Sequence, residues 1–278
     1  MILNMMLLRR AKTYPENCIL LVDTYNVLKS GIPNAIKVFN EVLKPLNIRP
    51  KGVRIDSGDI TYLSKKVRKM LDDAGYEDVK ITISNSLDEY IIKSVLDNGA
   101  KIDSFGVGER LITARSEPVF GGVYKLVAVE NEGKIVPKIK ISENAEKITN
   151  PGFKQVYRIF DKNSHKAIAD LIALGDEIVD ENKSLTIFNP VYTWKRKKLH
   201  RFYVKPLLSP IFVKGELVYE NPSTLEIRDY CKEQLATLWP EVRRLENPHT
   251  YYVDLSKKLW DLKESMLTEF ADTLDNEE

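Results

Sequence analysis

Cysteine is scarce in this chain. Its 278 residues hold two, Cys18 and Cys231. Two distant thiols make neither a disulfide framework nor a metal-ligand spacing, so a reducing cytoplasm is the expected setting. Histidine is nearly as rare: His165, His200 and His249 are the full set. No apolar run is long enough to cross a bilayer, which leaves no candidate membrane span. Excess charge is missing too. The 42 Lys and Arg face 40 Asp and Glu, for a net charge of +2. A dedicated nucleic-acid binder normally shows a concentrated basic face, so that class is disfavoured. What remains is ordinary globular composition, 43% hydrophobic and 29% charged, and enough chain to bury a substantial core.

From Cys18 onward the pattern is four strand–helix units. The strands are expected at Cys18–Val22, Gly52–Ile55, Val79–Ile83 and Ile102–Val107. Each is an almost unbroken apolar run, as in parallel strands covered on both faces. Helical spacing fills Asn34–Leu43, Asp59–Asp73 and Asp88–Asn98, with Gly75 and Gly99 where a C′ glycine belongs. Four such units are half of a (β/α)8 barrel. A small doubly wound sheet is the other arrangement the pattern allows. Residues 1–13 are atypical and remain unassigned, because Met1–Arg10 fits no element and is not a signal peptide. Residues 14–120 form the half-barrel part. Residues 121–222 look β-rich, with hairpins expected at Val123–Glu130 with Val136–Ser142 and at Gln155–Phe160 with Ala167–Leu174, then a strand at Leu185–Phe188. Residues 223–278 read as helices, Ser223–Leu238 and Leu255–Phe270, before an acidic tail.

Chemistry-bearing residues collect at the four strand ends. The first end carries Asp23, Thr24 and Tyr25, the second Arg54, Asp56, Ser57 and Gly58. The third carries Ser84 and Asn85 with Asp88 beyond, the fourth Gly106 and Gly108 before Glu109 and Arg110. In α/β proteins such ends converge on the active site. Gly58, Gly106 and Gly108 let backbone N–H groups approach a phosphate. Asp56, Asn85 and Asp88 suit ribose hydroxyls or a magnesium ion. Asp59 and Asp88 equally suit plain helix N-caps. Arg54 and Asp56 serve no cap. The basic run Lys195–Lys198 reads either as a solvated face or as an anion-binding edge. No histidine falls in the barrel-like section, so none is expected as a base there.

These residues carry a resemblance. Leu20-Leu-Val-Asp-Thr-Tyr-Asn26, Arg54-Ile-Asp-Ser-Gly-Asp59, Gly106-Val-Gly108 with Arg110-Leu-Ile-Thr113, and Gly121-Gly-Val-Tyr-Lys-Leu126 resemble the nicotinate phosphoribosyltransferase family from about Tyr14 to Phe270. The resemblance implies a partial (β/α) barrel of the type II phosphoribosyltransferase kind, with a β-rich extension and C-terminal helices. It implies an enzyme that joins nicotinate to phosphoribosyl pyrophosphate (PRPP) and yields nicotinate mononucleotide for NAD biosynthesis. ATP, with Mg2+, is hydrolysed through a phosphorylated histidine, and the protein is a cytoplasmic homodimer. By the same likeness Asp23 orients that histidine and Arg54 stands near the pyridine ring and phosphates. Asp56, Ser84 and Asn85 hold the ribose, and Gly106–Gly108 the 5′-phosphate. No metal ligand is assigned among the residues themselves. The family's histidine motif has no counterpart here, which points to a C-terminal portion that is inactive alone. Nicotinamide phosphoribosyltransferase, and a non-catalytic interaction protein, are the alternative readings.

Overall fold

A computed structural model describes residues 2–119, 121–192 and 194–275, with side chains described from Met5 to Ala271 and Asp272. The end of the acidic tail, 276–278, lies outside the described residues. The chain divides into two compact units, Met1–Gly121 and Gly122–Glu278.

The first unit alternates helix and strand: α1 (Ile2–Thr13), β1 (Ile19–Leu21), α2 (Ile32–Val38), β2 (Gly52–Ile55), α3 (Ile60–Asp73), β3 (Lys80–Ile83), α4 (Glu89–Asp97), β4 (Ser104–Phe105) and α5 (Glu109–Ile112). Wider π-helical turns, Val27–Gly31 and Phe39–Leu43, extend α2 at both ends. The four strands are parallel and stand in the order β1-β2-β3-β4. Each crossover therefore steps one strand onward in the same direction. A doubly wound sheet reverses direction at a switch point, so the sequential order rules that alternative out for this unit.

One expectation fails in an informative way. The strands were expected to be covered on both faces, but only one face is. Leu20, Val53, Ile55, Ile81 and Ile83 are buried against Ala35, Val38, Phe39, Val67 and Leu71 of the helical layer. The alternate positions point the other way. Ile19 and Leu21 are each 43% exposed, and Arg54 and Ser104 lie on that same open side. Side chains alternate across a strand, so an apolar run fills both faces whether or not the second is covered within the unit. Of the stretch Met1–Arg10, which fits no element by pattern, Met1 lies outside the described residues and Ile2–Arg10 is part of α1, with Leu7 and Ala11 in the same core. Helix and strand come close enough at one point to require glycine. A Cβ on Gly31 would lie 1.9 Å from the Val22 carbonyl oxygen.

The second unit is built on a six-stranded sheet in the order β10-β9-β14-β8-β7-β11. It holds β7 (Lys154–Asp161), β8 (Ala167–Leu174), β9 (Leu185–Phe188), β10 (Arg196–Leu199), β11 (Phe202–Pro206) and β14 (Tyr252–Leu255). Two small hairpins stand apart: β5 (Ala128–Asn131) with β6 (Lys134–Pro137), and β12 (Phe212–Val213) with β13 (Glu216–Leu217). Both strands of the first are shorter than the pattern implied. Helix α6 (Thr224–Thr237) starts with a Ser223–Glu226 capping box, and α7 runs Lys257–Asp275. The sequence begins its last helix at Leu255, but Leu255 closes β14, which lies parallel to β8. The C-terminal part therefore supplies a central strand as well as helices. Arg158 of β7 forks onto Asp170 of β8 at 2.9 and 3.0 Å, and the Tyr251 hydroxyl donates to the same carboxylate at 2.9 Å. The Lys195–Lys198 run forms most of edge strand β10, where lysines discourage pairing with another chain. That placement favours the solvated-face reading.

Candidate functional site

The C-terminal ends of β1, β2, β3 and β4 meet on one rim of the first unit. From β1, the Asp23 carboxylate turns across to the next strand end. Its Oδ2 accepts the Asp56 N–H at 3.0 Å and the Ser57 hydroxyl at 2.8 Å. Asp23 therefore fixes the sharp turn after β2. Gly58 completes that turn at φ +86°, a conformation that favours glycine, and Asp59 then caps α3 through the Tyr62 N–H at 2.9 Å.

Arg54 and Asp56 are joined through the next strand end. The Arg54 Nε–H donates to Ser84 Oγ at 2.7 Å, and that hydroxyl donates in turn to Asp56 Oδ1 at 2.6 Å. The direct Arg54–Asp56 ion pair is longer, 3.6 Å. Arg54 and Asp56 are both close to half exposed, so the screened pair itself contributes little to stability. Its value is orientation. Ser84 uses its donor and its acceptor to hold a cation and an anion in a fixed relation.

Gly106 follows directly. Its N–H donates to the Ile83 carbonyl at 2.7 Å, and a Cβ there would stand 3.2 Å from the Ser84 Cβ. Around Gly108 a Cβ would meet nothing, so the backbone there is open to a ligand. Arg54, Thr82, Ser84, Ser86, Gly106, Gly108, Glu109 and Arg110 line one cleft of about 420 Å3. A second hollow of about 460 Å3 shares Arg54 and Thr82 with it and extends past Ile19, Leu21, Thr24 and Arg10.

The strand ends thus bring Arg54, Ser84, Gly106 and Gly108 to one cleft, with Asp56 bonded to Ser84 behind its wall. Thr24 borders the adjoining hollow, while Tyr25 is 67% exposed. Asn85 is half-buried and is not among the residues that line the cleft. Asp88 departs furthest from a ligand role. Its Oδ1 caps α4 by accepting the Ile91 N–H at 2.8 Å, and its Oδ2 takes Arg110 Nη1. The Ile91 N–H, and after it Arg110, hold this carboxyl below its ordinary value against the opposing effect of burial. Thr82 and Ser86 line the cleft without any signal in the sequence, while Arg110, present at the fourth strand end, joins them there. Ser86 has φ +41°, a strained value for a side chain, and no local pattern announces it. Among the described residues no group of three His, Cys, Asp or Glu gathers as a metal-ligand set.

The arrangement offers a guanidinium, hydroxyls and the open backbone at Gly108 on one wall, with a carboxylate close behind. That combination suits a sugar phosphate: amides and cations for the phosphoryl oxygens, and hydroxyl and carboxylate acceptors for sugar hydroxyls.

Comparison with known proteins agrees in sequence and fold. Residues 153–263 match the family model of the nicotinate phosphoribosyltransferase C-terminal domain. The nicotinate phosphoribosyltransferase of Bacillus subtilis is 47% identical over 269 residues, covering 96% of this chain and 54% of that protein. The enzyme of Dictyostelium discoideum is 35% identical over 265 residues, covering 90% and 44%. The crystal structure of human nicotinic acid phosphoribosyltransferase superposes with a TM-score of 0.72 at 28% identity, over 95% of this chain and 49% of that one. The chain spans about half the length of the curated relatives it matches.

Proposed function

We infer, from the premise that the chain belongs to the nicotinate phosphoribosyltransferase family, that its first unit carries the phosphoribosyl site of that reaction. The observation that carries this reading is the single cleft shared by Arg54, Ser84, Gly106 and Gly108. The reaction joins nicotinate to PRPP, releasing pyrophosphate and forming nicotinate mononucleotide on the route to NAD. The 5′-phosphate docks at the Gly106–Gly108 backbone. Ser84, backed by the Asp56 carboxylate to which it is bonded, receives the ribose hydroxyls, and Asn85, which does not line the cleft, takes no direct part. Arg54 stands toward the departing pyrophosphate and the nicotinate carboxylate. As pyrophosphate leaves, positive charge grows on the ribose ring, and a carboxylate already fixed in place stabilises it electrostatically. Held hydroxyls keep the anomeric carbon in line with the pyridine nitrogen.

Asp23 acts by position: it pins the Asp56–Ser57 turn through the two hydrogen bonds it accepts. Ser57 and Gly58 shape that turn, and Thr24 flanks the neighbouring hollow. Magnesium enters this reading as an ion carried on substrate phosphates, the usual mode for that cation. ATP coupling, a homodimeric state and a cytoplasmic location belong to the same reading. The histidines His165, His200 and His249 all lie in the second unit, and the chain spans about half of its relatives. We therefore expect this chain to bind PRPP but not to complete the reaction alone.

The test combines calorimetric titration of PRPP with an assay in nicotinate, PRPP and ATP. Saturable binding that disappears in Arg54→Ala, without turnover, is the expected result. Clear turnover defeats the claim of inactivity, and an absence of PRPP binding defeats the site itself.

A further inference from the structure

Arg110 is the second residue of α5, two positions after Gly108, and its side chain is 23% exposed against 48% for Arg54. A guanidinium has five N–H donors in a rigid fork. Here Nη1 is bound to Asp88, and Nε is buried with no partner among the described residues. A buried charged donor left unpaired carries a substantial cost, so this fork retains unmet demand for an acceptor. Asp88 is itself fixed by the Ile91 N–H at the start of α4. The carboxylate therefore ties the α4 cap to the first turn of α5, just beyond the glycine segment, and it sets where the fork stands on the cleft wall.

We propose that Arg110 is the second cation of the cleft, aimed by Asp88, and that it grips the phosphoryl group received by the Gly106–Gly108 backbone. This rests on reading the cleft as a phosphoribosyl site. Three carboxylates bear on the charge balance. Asp56 and Asp88 do not line the cleft, while Glu109 does. The two guanidinium groups therefore face the cleft against a single facing acid, and a dianionic phosphate brings the acceptor oxygens that Arg110 lacks. A small turn of the fork about the Asp88 contact presents two parallel N–H groups, the geometry with which arginine binds phosphate more selectively than lysine does. Because Asp88 already restricts the side chain, little conformational entropy remains to be lost when the ligand arrives.

The probe is ribose 5-phosphate, titrated calorimetrically into the whole chain and into Arg110→Gln, Arg110→Lys, Asp88→Asn and Arg54→Ala. Arg110→Gln is expected to weaken binding by about tenfold, the loss of one charge-assisted contact. Arg110→Lys should recover part of that loss. Asp88→Asn keeps a capping side chain on α4 but loses the charged partner of Arg110, so its smaller weakening should come with only a modest fall in melting temperature. Loss of a phosphate contact should also flatten the dependence of affinity on salt in Arg110→Gln, which a purely structural role would leave unchanged. If Arg110→Gln binds like the parent while Arg54→Ala does not, this proposal falls and the phosphoribosyl reading stands. If the parent chain binds no ribose 5-phosphate, both fall.

Discussion

Ser84 shows how much one hydroxyl can decide. It donates to Asp56 and accepts from Arg54, so its removal leaves those two side chains with only their 3.6 Å ion pair. Ser84→Ala should therefore weaken PRPP binding by about tenfold, yet change stability by less than about 1 kcal/mol because the partners are near solvent. Calorimetric titration and thermal unfolding of the same sample measure both quantities. A different residue sets a pH dependence in the second unit. Asp254 is buried, its Oδ1 has no hydrogen-bond partner among the described residues, and burial pushes its carboxyl above the ordinary 3.8, with Lys197 opposing. A raised folded-state value means the folded form holds its proton longer than the unfolded form does. Stability then falls as pH climbs from that ordinary value through the folded one, and the penalty persists above it. Asp254→Asn should raise the melting temperature at pH 7 and not at pH 3, by scanning calorimetry. Residues of this kind were only partly legible in sequence. Arg54 and Asp56 stood out because neither serves a helix cap, and Gly106, Gly108 and Arg110 were visible at the fourth strand end. Ser86 and the Asp88 contact of Arg110 were not, because they depend on a backbone twist and on a carboxylate 22 positions away.

At the scale of elements, local pattern succeeded where burial is one-sided and contacts are close in sequence. Strands β1–β4 and helices α3 and α4 were legible because apolar periodicity, N-caps and C′ glycines agree along a short stretch. Strands β10, β11 and β14 were not. Their sequences, Arg196–Leu199, Phe202–Pro206 and Tyr252–Leu255, are charged or short, and β14 finds its partner β8 some eighty residues earlier. Pairing of that range leaves no local signature. The closest approach between elements makes a sharp prediction. Gly31→Ala would drive a Cβ into the Val22 carbonyl, and a backbone oxygen cannot step aside as a flexible side chain can. We expect a loss of at least ~3 kcal/mol from such overpacking, measured by denaturant unfolding. In the second unit, Asp170→Ala strands Arg158 and removes the acceptor of Tyr251. Burial, and then the Asp170 charge, raise the Tyr251 hydroxyl well above its ordinary value, so it serves as a neutral donor. The expected cost is roughly 2–4 kcal/mol, below that of a fully buried pair because Arg158 keeps some solvent contact.

At the scale of the whole molecule, one feature of the first unit matters most. Its parallel sheet is covered on one face, and β1 and β4 are its edges. All-parallel sheets are ordinarily covered on both faces. The open side carries Ile19 and Leu21 beside Arg54, so apolar surface and ligand-facing chemistry share it. The chain matches about half the length of its relatives. The apolar pattern shows a strand but not what covers it, so the open face could not be read from sequence. The rim can be tested as it stands. Titrating PRPP into isotopically labelled protein and following backbone amide signals by NMR asks whether the strand ends answer as one site. The account expects the amides of Asp56–Gly58, Ser84–Ser86 and Gly106–Glu109 to shift together along a single binding curve. Shifts that follow separate curves, or that fall on the second unit instead, would contradict it.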